Sequence, residues 1–175
     1  MQGKSHLAIG ITTAAWFAYA LPLPDNGSRV MVAVVAAAGS LAPDLDHLDG
    51  KASHSFADGR TLSRFVRAFG GHRTWTHDLR VGPPVFGVVT AVAAWFLHGP
   101  IHDSWWAFGL AMAVGCLAHI YADARTVSGV PFGRHRIRIG RTFVTGSDAE
   151  LLRYRLLYRP LSWASVVAAL WLVAS

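Results

Sequence analysis

The chain alternates apolar runs with polar connections. Five stretches contain no Asp, Glu, Lys or Arg: residues 7–24, 30–43, 81–102, 104–122 and 161–175. A bilayer-spanning helix needs about 20 mainly apolar residues, with a range of roughly 17–25. The first, third and fourth stretches reach that range, while the second and fifth are shorter. Helices are predicted in all five, either as membrane spans or as the core helices of a soluble all-α protein. Gly and Ala recur through 32–39, which suits close helix contact.

The connections carry patterns of their own. Residues 62–69 form an amphipathic piece that could lie at the headgroup level. Residues 134–141 alternate basic and apolar side chains, readable as a short hairpin arm or a basic loop. Ser147 and Glu150 have capping-box spacing and open a basic amphipathic helix over 151–159, which Pro160 is expected to end.

Threading the five segments up and down places residues 1–6, 44–80 and 123–160 on one face. That face receives 15 of the 16 Lys and Arg residues, and only Arg29 falls on the other. By the positive-inside rule the basic face is cytoplasmic. Composition agrees: 53% hydrophobic against 15% charged residues, with seven Trp, is shifted toward membrane. At 175 residues the chain fits a single domain over 1–175. The net charge of +6 suits anionic partners, membrane lipids first and nucleic acid as a less favoured choice. The N-terminal run reads as retained rather than as a cleaved signal peptide. Cys116 cannot pair within the chain and is read as a small buried hydrophobe.

Candidate chemistry clusters on the same basic face: His6; Asp44, Asp46 and His47; His72 and His77; His119 and Asp123. His119 and Asp123, four apart on a helix, project from one side and can hold one ion. Asp44 and His47 can share a face, while Asp46 could bridge a second ion or act as general base. One of the two aspartates could instead cap a turn after Pro43. Arg73 offers a planar donor for a phosphoryl oxygen, or else snorkels at the interface. Thr76 and Asp78 could orient the imidazoles. His54 and His135 read as solvated, and His98 and His102 lie on the opposite face. Imidazole and carboxylate without thiolate suit Zn²⁺, Mn²⁺ or Fe²⁺, with zinc preferred. Eight candidate ligands exceed what one tetrahedral ion needs, so two ions are expected. Such a site can polarise a phosphoryl oxygen and activate water, which points to phosphoester hydrolysis.

At these residues the chain resembles the bacterial family of LexA-regulated, inner-membrane-associated metal-dependent hydrolases. The match runs from His6 through 39–47, 72–77 and 119–131, and ends in 145–150. The resemblance implies metal binding at the matched histidines and aspartates in an inner-membrane protein. It leaves Glu150 with two readings, capping-box member or outer carboxylate of the site. Asp78 stands where a small hydroxyl residue is expected. The family is in turn distantly similar to zinc-dependent phospholipases C and single-strand nucleases, all-α proteins that cleave phosphodiesters, which implies chemistry only by analogy.

The expected molecule is therefore an all-α, multi-pass bundle of about five helices in the bacterial inner membrane, with a di-metal site at its cytoplasmic helix ends. It would hydrolyse a phosphoester, in a lipid headgroup or another membrane-proximal substrate. A non-catalytic membrane protein with a structural metal site and a peripheral all-α nuclease are the alternatives.

Overall fold

The computed structural model describes residues 3–47, 58–70, 74–97, 100–140 and 144–174. Each apolar segment is helical: α1 (Gly3–Ala20), α2 (Asn26–Gly39), α4 (Gly82–Trp95), α6 (Trp105–Ala124) and α8 (Arg159–Ala174). Between them lie α3 (Gly59–Ala68), α5 (Pro100–Asp103), α7 (Asp148–Arg153) and two single 3₁₀ turns, Pro43–Asp46 and Trp75–His77. Local chemistry sets the boundaries. Asp25 caps α2 by accepting from the Ser28 amide at 2.9 Å and its hydroxyl at 2.6 Å, which satisfies donors that a helix start leaves open. Pro83 and Pro84 sit in the first turn of α4, where a missing N–H costs nothing.

Two expectations about segment ends are corrected. The third apolar segment does not run as one helix to residue 102. It stops at Trp95, and Pro100, which disfavours helix in the residue before it, starts a separate short turn. Nor does Pro160 end a helix. A π-helical turn over Tyr154–Tyr158 joins α7 to α8, so the proline ring falls in the first turn of α8. Widening the turn there accommodates a residue with no N–H to donate.

α6 is the hub, packing against α4, α2 and α1, while α1 also contacts α2 and α8. The core is built of small side chains, with Ala14, Ala36, Ala107 and Ala111 around Val32 and Phe108. Backbones meet directly at the α2–α6 crossing. A Cβ on Gly39 would lie 2.6 Å from the Met112 carbonyl oxygen, and one on Gly115 would lie 2.8 Å from Gly39 Cα.

The basic alternating run forms a hairpin, β1 (Val130–Phe132) against β2 (His135–Ile137), in antiparallel register with Val130 opposite Ile137. Its two-residue loop begins at Gly133, whose φ of 61° is the left-handed conformation such loops demand. Val130 packs with Ile120 and Ala124, fastening the hairpin to the end of α6.

Large apolar side chains remain outside. Val85, Val88, Val89 and Val92 of α4 and Trp163, Val167, Leu170 and Trp171 of α8 are all exposed. Among the described residues, only Trp105–Ala124 forms a helix long and apolar enough to cross a bilayer, and α4 is apolar but shorter.

Candidate metal centre

Five side chains from four element ends meet at one end of the bundle. His6 comes from the start of α1 and Asp44 from the 3₁₀ turn after α2. His77 comes from the 3₁₀ turn before α4, and His119 and Asp123 from the last turns of α6. Up-and-down threading brings these ends together. His6 Nε2 lies 3.2 Å from Asp123 Oδ1. Asp44 Oδ1 is 3.6 Å from both His77 Nε2 and His119 Nε2. Asp123 Oδ2 stands 3.7 Å from His77 Nε2 and 3.8 Å from His119 Nε2. The rings of His6 and His119 stack at 3.8 Å. Two ligand triplets result, His6 with Asp44 and His119, and His77 with His119 and Asp123, sharing His119.

Hydrogen bonds outside the cluster decide which nitrogens face inward. His119 Nδ1 lies 2.7 Å from the Ser40 carbonyl oxygen, which can only accept, so Nδ1 carries the proton and Nε2 turns a lone pair to the centre. The Gly39–Gly115 contact lets α2 come close enough for that bond, because Ser40 follows Gly39 and His119 is one turn beyond Gly115. Thr76 spends its only proton on Asp46 Oδ2 at 2.6 Å. Its oxygen then accepts from His77 Nδ1 at 3.0 Å, leaving Nε2 directed inward as well.

The centre is thus a cage of acceptors that calls for positive charge. Among the described residues His119 Nε2, wholly buried, has no hydrogen-bond partner, and neither has His6 Nδ1. Buried polar atoms left this way require an account. Tetrahedral donors about 2.0–2.1 Å from one zinc ion stand roughly 3.3 Å apart. The separations of 3.2–3.8 Å are close to that spacing, and all but the His6–Asp123 contact are long for direct hydrogen bonds. The donor set therefore fits a divalent transition ion.

Electrostatics in the turns agree. Burial opposes ionisation of Asp44, but the His77 contact and the neighbouring imidazoles outweigh it and hold the carboxyl below the usual carboxylate range. Burial likewise opposes charging of His77, yet Asp44 and Asp46 beside it raise its proton affinity. Asp44, with its side chain 22% exposed, is the one member of the cluster open to solvent.

The other expected site residues have different places. Asp46 is buried behind His77 on the Nδ1 side, belongs to neither triplet and reaches the imidazole through Thr76. His47 is exposed beyond the 3₁₀ turn, where the backbone has become extended, and also lies outside both triplets. Thr76 lies between Asp46 and His77, its hydroxyl in contact with both. Among the described residues Asp78 contacts no imidazole: it accepts from the Gly133 amide at 2.8 Å and from Arg80, tying the hairpin to the turn after His77. Its carboxyl is also held below the usual range, as the Arg80 and Gly133 hydrogen bonds outweigh burial. His72 and Arg73 lie outside the described residues. His102 is at the opposite end of the bundle, its ring tilted against Trp95.

Glu150 satisfies both of its readings in part. The Ser147 hydroxyl accepts from its amide, while its own carboxylate accepts from the Gly146 amide at 2.6 Å and from the Ser5 hydroxyl at 3.1 Å, beside His6. Sequence reasoning missed Ser5 and Ser40. Ser40 acts through its main-chain carbonyl, so no side-chain pattern announces it. Ser5 was legible only as the neighbour of His6.

Comparison with known proteins places the chain among relatives of undefined activity. It is 31% identical over 157 residues to the "Uncharacterized protein YvsG" of Bacillus subtilis (strain 168), covering 87% of this chain and 86% of that protein. No solved structure matches it significantly. The family model described as "YdjM inner membrane protein" matches residues 1–175, and the chain belongs to that family.

Proposed function

We propose that this protein is a membrane-embedded, metal-dependent hydrolase of phosphoesters, with its site at the cytoplasmic surface of the inner membrane. The observation that carries the reading is the convergence of His6, Asp44, His77, His119 and Asp123 with imidazole lone pairs locked inward. His119 Nε2 has one lone pair and would serve one ion, together with His77 and Asp123 or with His6 and Asp44, and a second ion would draw on the ligands left over, zinc by preference. Bound there, the metal would supply Lewis acidity toward a phosphoryl oxygen and activate water. The chain's own residues do the rest. Ser40 and the Thr76–Asp46 pair keep the imidazoles of His119 and His77 in the ligating tautomer, and the partly exposed Asp44 marks the side from which water and substrate enter. Arg73, four residues before His77, remains the candidate clamp for the developing negative charge.

Membrane embedding in several passes is supported by the exposed valines of α4 and tryptophans of α8, by the apolar α6, and by the segregation of basic residues. Phosphodiesterase activity of detergent-purified protein toward a chromogenic phosphodiester tests the reading. Activity should vanish on chelation, return with Zn²⁺ or Mn²⁺, and be absent in His119→Ala. A protein that binds metal tightly yet stays inert toward phosphoesters would refute hydrolysis. It would also favour the second reading, a structural ion tying helix ends together, which the near-complete burial of four of the five ligands supports.

A further inference from the structure

We propose that a recess between α1, α6 and α8, separate from the metal centre, binds the phosphate of an anionic phospholipid. The recess, of about 420 Å³, has Arg125 and Arg153 beside Tyr121 and Tyr158 on one side and Ile9 and Leu161 on the other. Tyr121 is two residues beyond His119, a rotation of about 200° around the helix, so the recess opens on the side of α6 facing away from the ligands. Arg125, one turn further on, stands above Tyr121 and donates to its hydroxyl at 3.3 Å.

Among the described residues Arg125 Nε is buried without a hydrogen-bond partner, and no carboxylate lines the recess. A fixed planar guanidinium in such a setting suits a phosphate oxygen. The other wall argues for a lipid as the source of that phosphate. Leu161 and Tyr121 are exposed, and one turn further from the basic end of the bundle so is Leu117. They continue toward exposed Trp16, whose indole donates to Ser165 Oγ at 3.3 Å. An acyl chain lying along that strip would cover it, whereas a soluble phosphate would leave it in water. The recess also lies at the basic end of the bundle, where headgroups of the anionic leaflet would be. This proposal rests on the membrane reading above and is independent of the metal chemistry.

Native mass spectrometry of the full chain released from detergent tests it, with phosphatidylglycerol and phosphatidylcholine as probes. Wild type should retain phosphatidylglycerol preferentially, and Arg125→Gln should lower that retention roughly fivefold with phosphatidylcholine unchanged. Arg134→Gln, in the exposed hairpin loop, should behave as wild type, and excess inorganic phosphate should leave the lipid bound. Arg125→Lys, which keeps the charge, should keep part of the preference, and it decides the matter if the Gln variant does not fold. Equal retention in Arg125→Gln, equal loss in Arg134→Gln, no anionic preference in Arg125→Lys, or displacement by inorganic phosphate overturns the proposal. Chelation should not alter lipid retention, so failure of the metal reading is read separately. Release from membranes by salt without detergent would overturn the membrane reading together with the lipid site.

Discussion

Substituting Gly115 by Ala tests whether the helix crossing sets up the metal centre. A Cβ at this position would lie 2.8 Å from both Gly39 Cα and Ser40 N, about 0.6 Å inside ordinary contact, and closer still to the Ala36 carbonyl oxygen. These are backbone atoms, so α2 must move away from α6 as a unit. A displacement of that size along the His119–Ser40 bond would stretch it from 2.7 Å to about 3.3 Å, past the usual N–H···O range, and relieving the tighter Ala36 contact would lengthen it further. Overpacking costs about 1–3 kcal/mol and loss of the buried bond about 1 more, so a destabilisation of roughly 2–4 kcal/mol is expected. With the His119 tautomer no longer fixed, zinc affinity should fall about 10–100-fold. Competition with a chromophoric chelator in detergent measures the affinity, and thermal unfolding measures the stability. Gly109→Ala is the control. Its Cβ would meet Ala91 Cβ at 2.7 Å in the α4–α6 contact, ten residues from His119, so it should destabilise the fold while zinc affinity holds. Wild-type affinity in Gly115→Ala, or an equal loss in Gly109→Ala, would refute the link between crossing and ligand.

Other consequences follow from single contacts. Thr76→Val removes the hydroxyl between Asp46 and His77, and should weaken zinc binding about 10–100-fold with the helical circular dichroism unchanged. Glu150→Gln puts a neutral amide where a buried carboxylate accepts from Gly146 and Ser5, and should lower stability by roughly 1–3 kcal/mol, measured by thermal unfolding. Asp78 has a depressed folded pKa, so its hold on the hairpin is complete above the ordinary carboxylate value of about 3.9 and is lost as pH falls through the lower folded value. Hydrogen exchange at the Gly133 amide should show that loss in acid, and Asp78→Asn should show it at neutral pH.

Much of the architecture was legible because its cause is local. The absence of charged residues marked all five long helices, and alternating their direction was enough to bring His6, Asp44, His77, His119 and Asp123 to one end. The i, i+4 pair was legible because helix geometry alone brings His119 and Asp123 to one face. What escaped depends on contacts between distant segments. Asp46 sits two residues from Asp44, and only the 3₁₀ turn and the packing of Thr76 decide that one faces the centre and the other the back of His77. His47 was indistinguishable in type from the ligands, and extended backbone carries it away. The Ser40 carbonyl is invisible to any reading of side chains. Pro160 carried a stop signal that the π-helical turn overrides, a tertiary accommodation that no local rule anticipates.

The central claim is that this cage of acceptors holds metal. Elemental analysis of protein purified in detergent without chelators, wild type beside His119→Ala, tests it most directly. One to two transition ions per chain are expected in the wild type, with most of them lost when His119, common to both ligand triplets, is removed. A metal-free wild type, or a His119→Ala protein that keeps its full complement, would contradict the account.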